Sequence, residues 1–198
     1  MWFLRQIWAF VVDFLETLVI SLAVFVLVYL FLFQPHQVEG RSMEDTFQNG
    51  EYILTDKISY RFREPERGDV IVFHSPQDER VDFIKRIIAL PGDRIMIKGS
   101  MVYLNGKLLD EPYVKEGISP QDSFLREGVE VSVPSGNYVV MGDNRLHSSD
   151  SRKWGFITKQ EIVGRAFFRY WPLDALGTIP TSESEPTVGA VQGLLDSR

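Results

Sequence analysis

Two adjacent basic residues, Lys85 and Arg86, lie in an apolar run from Phe83 to Leu90 and are the first candidates for chemistry. Successive side chains of a strand point to opposite faces, so one of the two cations must approach the interior, and alternation alone does not say which. Only the lysine can lose its proton, because a guanidinium stays charged in proteins. Lys85 is therefore the candidate general base, a role that requires desolvation to lower its pKa from about 10.4 to about 7–8.

A second segment of interest is Gly40-Arg41-Ser42-Met43, which places a serine shortly after the apolar N-terminal run. Gly40 permits a tight turn whose backbone N–H groups can point at a developing oxyanion. On the residues alone, a Gly-x-Ser also occurs in ordinary loops, and a strand lysine also extends its ammonium into water. On the residues alone, Ser42 as an ordinary loop serine and Lys85 as a solvated lysine therefore stay open beside the chemical roles.

A third segment, residues 141–155, is a long polar turn that follows a valine-rich strand. Its Asp, Asn, Ser and Arg side chains can hydrogen-bond to the backbone and to one another. A hydroxyl there can hold a lysine amine in place, and an Asp–Arg pair can brace a site. His36, His74 and His147 show neither metal-ligand spacing nor a local triad signature, so the sequence predicts no metal site.

Length and composition exclude several classes of protein. The 198 residues allow one domain and an appendage. Lys and Arg number 21 against 27 Asp and Glu, and the net charge of −6 disfavours sequence-independent binding of nucleic acid. The absence of cysteine excludes disulfides, zinc–thiolate sites, iron–sulfur clusters and a cysteine nucleophile.

The elements that must position these residues begin with an apolar N-terminal segment. Residues 17–34 carry no charge over 18 positions, about the length that crosses a bilayer core, and predict a transmembrane anchor. A cleaved signal peptide would show small residues in an Ala-x-Ala pattern, whereas this run ends in Phe31-Leu32-Phe33. Residues 1–16 predict an amphipathic, interfacial segment or an extension of the helix. Arg5 and Arg41 flank the span on opposite sides, so charge does not determine its orientation.

Residues 35–177 predict a mostly β domain of antiparallel strands, because short apolar runs alternate with turn residues. Asn105-Gly106 is the strongest hairpin signal, since both central positions of a type I′ turn need positive φ. Residues 114–128 are polar and predict an exposed loop. Residues 178–198 are rich in Thr, Ser, Glu and Pro and predict a disordered tail.

In order and spacing, the three segments resemble the motifs of bacterial type I signal peptidases. The matching residues are Ser42-Met43 after the apolar segment, Lys85-Arg86-Ile87-Ile88-Ala89-Leu90-Pro91-Gly92-Asp93, Gly142-Asp143-Asn144-Arg145 and Ser148-Ser149-Asp150-Ser151-Arg152-Lys153-Trp154-Gly155. The resemblance runs from the apolar segment to about Pro172. It implies a membrane-anchored serine endopeptidase with a Ser–Lys dyad, which needs no cofactor and no metal.

The resemblance also implies a role for each matching residue. Ser42 is the nucleophile, Lys85 the general base, and Ser148 the residue that orients the lysine amine. The residues that support the site structurally are Asp143, Asn144, Arg145, Asp150 and Arg152, the last two as an ion pair. The Ser42 backbone N–H is expected to bind the oxyanion, with the Gly40 amide as a candidate second donor.

The substrates implied by the resemblance are preproteins, cut after a small residue that has another small residue two positions earlier. Such a peptide would bind as an added strand. The anchor would lie in the lipid of a bacterial cytoplasmic membrane, with the catalytic domain on the extracytoplasmic side. Neither nucleic acid nor metal is expected as a partner.

Three positions depart from the family pattern. Asp45 replaces the proline of the usual Ser-Met-x-Pro-Thr, which would stiffen the turn. Gly40 stands where some relatives have a serine, so no side chain at this position can donate to the oxyanion. Leu146-His147 replaces a commoner Asp-Asn pair.

Two other functions stay open on the sequence. One is a non-catalytic, membrane-anchored β module of the same fold that binds peptides. The other is a self-cleaving regulator with similar Ser–Lys chemistry, against which the retained anchor argues.

Overall fold

The computed structural model describes residues 1–44, 46–115, 117–118 and 124–181. Its first element is helix α1, Trp2–Leu32, which has 31 residues and a length of about 46 Å. An 18-residue window within Trp2–Tyr29 has a mean hydropathy of 2.4, and none of it is buried against the rest of the protein. The helix is therefore long and apolar enough to cross a membrane.

The bounds of α1 differ from the predicted ones. The helix runs unbroken through residues 1–16 and into the predicted anchor, so the first segment extends the helix, and its placement at a membrane interface stays a prediction. It ends at Leu32 rather than at residue 34, since Phe33 is extended, with φ −131° and ψ 139°. Pro35 accounts for the earlier end, because its ring would clash with the carbonyl four residues before it.

The other described elements are short helices, 3₁₀ turns and strands. The helices are α2 (Ser59–Phe62) and α3 (Ser151–Trp154), and the 3₁₀ turns are Arg145–His147, Lys159–Glu161 and Leu173–Ala175. The strands are β1 (Phe33–Gln37), β2 (Tyr52–Asp56), β3 (Val70–Ser75), β4 (Asp78–Ala89), β5 (Arg94–Lys98), β6 (Met101–Leu104), β7 (Lys107–Leu108), β8 (Val131–Ser132), β9 (Asn137–Met141), β10 (Ile157–Thr158), β11 (Ile162–Trp171) and β12 (Gly177–Thr178).

These strands form two sheets. The larger has the order β1-β2-β11-β3-β4-β9-β10, with β12 also paired to β11, and the smaller has the order β7-β6-β5-β8. The pairs between named strands are antiparallel. The predicted fold class, mostly antiparallel β with one N-terminal apolar helix, is confirmed.

The hairpin predicted at Asn105-Gly106 is present and joins β6 to β7. Asn105 has φ 53° and Gly106 has φ 80°, both positive as a type I′ turn requires. The Asn105 side chain accepts the Arg94 N–H at 2.9 Å, so the turn is also tied to β5. This prediction is confirmed.

Strand β4 is covered on both faces in its second half, from Lys85 to Ala89. Ile87 packs in a cluster with Ile71 and Phe73 of β3. Ile88, on the opposite face, packs into the core of the smaller sheet. Side chains from both faces of this half-strand therefore leave water.

Two predictions of exposure need correction. Within residues 114–128, Ile118 and Leu125 are buried in the core of the smaller sheet. At the other end of the chain, Thr178 pairs with β11 and Ile179 is buried, so the first residues of the predicted tail belong to the domain. Strand pairing and apolar burial there offset the entropy of ordering the chain. Residues 182–198 of the predicted tail lie outside the described residues.

Candidate active site

A cleft of about 330 Å³ lies between residues 36–42 and residues 82–85 of β4. His147 and Ser149 of the polar turn also line it. The three segments singled out in the sequence therefore meet at one place, although they are separated by long stretches of chain.

Lys85 and Ser42 are in direct contact in this cleft. The Lys85 Nζ donates to Ser42 Oγ at 2.7 Å and to the Ile84 carbonyl at 2.8 Å. Only 3% of Lys85 is exposed, and its Nζ lies 5.3 Å from the centre of the Phe83 ring. A neutral amine at this distance can take the hydroxyl proton.

Burial lowers the pKa of Lys85 to about 8, from an ordinary value of 10.5. Desolvation is the main cause, because the ammonium loses its hydration inside the protein. The carboxylates of Asp150 and Asp143 oppose this shift by favouring the charged form, and the Arg152 cation reinforces it. The lysine therefore changes from ammonium to amine near pH 8, in the range where a general base is useful.

Arg86 is also buried, on the opposite face of β4. Its Nε and Nη2 donate to the two carboxylate oxygens of Asp143 at 2.9 and 2.7 Å. The sequence predicted that one of the two cations approaches the interior; both do, because hydrophobic cores cover both faces of the strand. Arg86 lies beside a buried carboxylate, whereas Lys85 contacts a hydroxyl and a carbonyl, and burial lowers the pKa of the lysine.

Ser42 begins a compact turn that is anchored in the core. The N–H groups of Thr46 and Phe47 donate to the Met43 carbonyl at 2.8 and 2.6 Å. The side chains of Met43 and Phe47 are buried in one hydrophobic cluster. Thr46 Oγ1 donates to Asp143 Oδ2 at 2.5 Å, which links the turn to the Arg86–Asp143 pair.

The Gly40 amide is already occupied. Gly40 has φ 86°, a conformation that favours glycine, and its N–H donates to Asn49 Oδ1 at 2.8 Å. The Gly40 N–H would have to leave Asn49 to bind an oxyanion, and its candidate role as a second donor stays a prediction. Among the hydrogen bonds between described residues, none uses the Ser42 N–H, so this amide stays the predicted donor. Asp45, the residue that replaces the family's proline, lies outside the described residues.

Gly142 brings the Ser148 hydroxyl next to the backbone of Ser42. A Cβ added at Gly142 would overlap both the Ser148 Oγ and the Ser42 carbonyl oxygen. The absence of a side chain at Gly142 thus permits a close approach between the polar turn and the nucleophile turn. Ser148 is buried, and its role in orienting Lys85 stays a prediction.

Asp150 and Arg152 form a fully buried ion pair. Arg152 Nε donates to Asp150 Oδ1 at 2.8 Å, and Nη2 donates to Oδ2 at 2.9 Å. Asp150 Oδ2 also accepts the Gly142 N–H at 3.1 Å. The pair therefore fixes the backbone of the same glycine that packs against Ser42.

Asn144 and Arg145 hold the polar turn in different ways. The Asn144 N–H donates to the Ser42 carbonyl at 3.1 Å. Arg145 Nε donates to the Gly142 carbonyl at 3.0 Å, and Nη1 donates to Glu111 at 2.9 Å. With Asp143, these residues connect the polar turn to the turn that begins at Ser42, and their role in supporting the site stays a prediction.

The sequence analysis missed two partners of these residues, Arg86 for Asp143 and Glu111 for Arg145. The position of Arg86 in an apolar strand was a usable signal. Glu111 carries no such signal, because an acidic residue near a turn usually lies in water. Among the described residues, no group of three or more His, Asp or Glu side chains is placed to hold a metal ion.

Comparison with known proteins identifies one family that this chain matches. Residues 11–171 match the family described as signal peptidase, peptidase S26. Signal peptidase I of Bacillus caldolyticus is 44% identical over 72% of this chain and 82% of its own length. Probable signal peptidase I-2 of Synechocystis is 38% identical over 86% of this chain and 77% of its own length. Signal peptidase IB of Staphylococcus aureus is 36% identical over 78% of this chain and 88% of its own length.

The matched region includes the whole cleft and more than half of α1, so the class of the protein follows: it is a membrane-anchored serine endopeptidase. More particularly, the chain belongs to the signal peptidase family, peptidase S26.

Proposed function

We propose that the protein removes signal peptides from translocated preproteins, with Ser42 as nucleophile and Lys85 as general base. The observation that carries the proposal is the 2.7 Å contact between the Lys85 amine and the Ser42 hydroxyl. It lies in a site where burial lowers the pKa of the lysine to about 8. Such a dyad needs no histidine, because a neutral amine can itself accept the hydroxyl proton.

The reaction is an acyl transfer followed by hydrolysis. Neutral Lys85 accepts the Ser42 proton as Oγ bonds to the scissile carbonyl carbon, and the Ser42 N–H stabilises the resulting oxyanion. The Lys85 ammonium then protonates the departing amine, which leaves an acyl-enzyme. In the second half, Lys85 takes a proton from water as the water attacks, the bond from the acyl group to Oγ breaks, and the proton returns to Oγ.

The edge of β4 supports binding of an extended peptide. On the side away from β3, β4 pairs with β9 only from Arg86 onward within the described part of the sheet. Residues 82–85 therefore present an edge to which a substrate strand can be added. Ile53, Val72 and Ile84 line the same cleft, and an apolar pocket there suits the small residues that precede the cleavage site.

The path from α1 to Ser42 keeps the site near the membrane. Ser42 lies 10 residues after Leu32, the last residue of α1. An extended chain covers at most about 3.6 Å per residue, which limits the distance between the cleft and the end of the anchor. The finer placement, in lipid of a bacterial cytoplasmic membrane with the catalytic domain on the extracytoplasmic side, rests on the resemblance to the family.

Ser42→Ala should lower preprotein cleavage by at least about 10³-fold, because the acyl-enzyme can no longer form. The measurement is release of mature protein from a preprotein by the full-length, detergent-solubilised enzyme. Ser135→Ala changes an exposed serine in the turn before β9 and should leave the rate unchanged.

The same assay separates the alternatives. Tight binding of a preprotein that the wild-type protein leaves intact would support a non-catalytic peptide-binding module. Cleavage restricted to the protein's own chain would indicate a self-cleaving regulator. A Ser42→Ala variant that cleaves at the wild-type rate would contradict the assignment of the nucleophile.

A further inference from the structure

Glu111 lies outside the motif segments, yet it contacts Arg145 of the polar turn. It follows β7 of the smaller sheet, and its carboxylate receives both terminal nitrogens of Arg145, Nη1 to Oε2 at 2.9 Å and Nη2 to Oε1. The side chains of Arg145 and Glu111 are 1% and 10% exposed. The pair is thus almost completely buried and bidentate, the geometry in which an arginine–carboxylate contact is most specific.

Arg145 connects Glu111 to the backbone next to Ser42. Its Nε donates to the Gly142 carbonyl at 3.0 Å, and its own carbonyl accepts from Arg152 Nη2 at 2.8 Å. Gly142 packs against the Ser42 carbonyl and the Ser148 hydroxyl. A shift of Arg145 would therefore move the backbone that separates Ser42 from Ser148.

Glu111 is connected to the nucleophile turn by a second route. The Tyr113 hydroxyl donates to Glu111 Oε1 at 3.0 Å, and the Arg86 guanidinium lies 4.2 Å from the centre of the Tyr113 ring. Arg86 binds Asp143, which accepts the Thr46 hydroxyl. One carboxylate, from the segment that follows β7, is thus connected to both turns of the site.

We propose that Glu111 is a positioning residue of the peptidase, which fixes Arg145 and thereby holds residues 142–148 against Ser42 and the catalytic lysine. The inference rests on the proposed function, because it concerns the geometry of the dyad. The segment that follows β7 is then the support of the polar turn. A displacement of reacting groups by about 1 Å can cost about 100-fold in rate. A residue such as Glu111, which contacts neither Ser42 nor Lys85, can therefore affect the rate by fixing the position of the polar turn.

Glu111→Gln keeps the shape of the side chain and removes its charge. We expect kcat to fall about tenfold or more while KM changes by less than about twofold, because the variant leaves the cleft lining intact. Glu130→Gln is the control, at a residue outside the motif segments. It removes the charge from another carboxylate paired with an arginine, the Glu130–Arg94 contact at 3.2 Å, whose side chains are 40% and 55% exposed. This control should change kcat by less than about twofold.

Amide hydrogen exchange gives a readout that does not depend on activity. In Glu111→Gln, exchange of the Asn144 N–H, which donates to the Ser42 carbonyl, should rise about tenfold or more, while the amides of β9 keep their wild-type rates. Glu130→Gln should leave the Asn144 rate unchanged. If the peptidase assignment itself failed, wild type would equal Ser42→Ala in the cleavage assay, and the exchange rates alone would decide whether Glu111 holds the turn.

Glu111→Gln leaves the buried Arg145 without its carboxylate partner, and the single variant can therefore fail to fold. A double variant covers that case. Glu111→Leu combined with Arg145→Met removes both charges, which usually preserves folding, but it also removes the hydrogen bond to Gly142. We expect a folded protein with the same kcat loss of about tenfold or more. Wild-type kcat in either folded variant, or an unchanged Asn144 exchange rate, would overturn the proposal.

Discussion

Lys85→Arg should abolish preprotein cleavage, with a fall in kcat/KM of at least about 10⁴-fold. The guanidinium stays charged at any accessible pH, so it cannot take the Ser42 proton even if it reaches the hydroxyl. Lys85→Met should lose as much, because it removes the base and keeps a similar apolar stem. The measurement is the initial rate of preprotein cleavage by the full-length protein in detergent.

Lys98→Arg provides the matched control for this substitution. Lys98 is an exposed lysine at the end of β5, and its replacement should leave kcat/KM within about twofold of wild type. A Lys85→Arg variant that retains a substantial fraction of wild-type kcat/KM would show that a fixed positive charge is sufficient. The role of Lys85 as a base would then have to be given up.

Gly142→Ala should lower kcat by about 100-fold, although it adds only one methyl group. The new Cβ would overlap the Ser148 hydroxyl and the Ser42 carbonyl, so the nucleophile turn and the polar turn must move apart. Cleavage rates at saturating substrate measure this effect. Circular dichroism establishes whether the variant keeps its sheet content.

Gly177→Ala is the matched control, because a Cβ at Gly177 meets no atom within 4 Å. We expect its kcat to equal that of wild type. A Gly142→Ala protein with wild-type kcat would mean that the close approach at Gly142 is not required for the geometry of the dyad.

Residue type and strand periodicity made Lys85 a candidate base, and the resemblance to the signal peptidases paired it with Ser42 as the predicted nucleophile. Lys85 stands out because a removable proton in an apolar strand is chemically unusual, and it does contact Ser42. The antiparallel sheets and the hairpin at Asn105-Gly106 follow from short-range patterns, which is why these predictions are confirmed. Such local signals depend on a few neighbouring residues and need no knowledge of tertiary contacts.

Long-range contacts account for what the sequence could not predict. The burial of Arg86 depends on a second core that the smaller sheet builds on the opposite face of β4. The pairing of Glu111 with Arg145 joins the segment after β7 to the 3₁₀ turn after β9. The hydrogen bond from the Gly40 amide to Asn49 was not predicted, because nothing in the sequence indicates that pairing. In each case the decisive partner is distant or its side-chain direction is not encoded locally.

The central claim is that Lys85 is largely deprotonated in the pH range where the enzyme works. NMR titration of lysine labelled at Cε, in the full-length protein in detergent, measures this directly, and the Lys85→Met variant identifies the resonance. We predict a midpoint near pH 8, with the ammonium form below it, the amine above it, and cleavage rising through the same pH range. A Lys85 that stays an ammonium beyond about pH 10 while cleavage is already at its maximum would contradict the account.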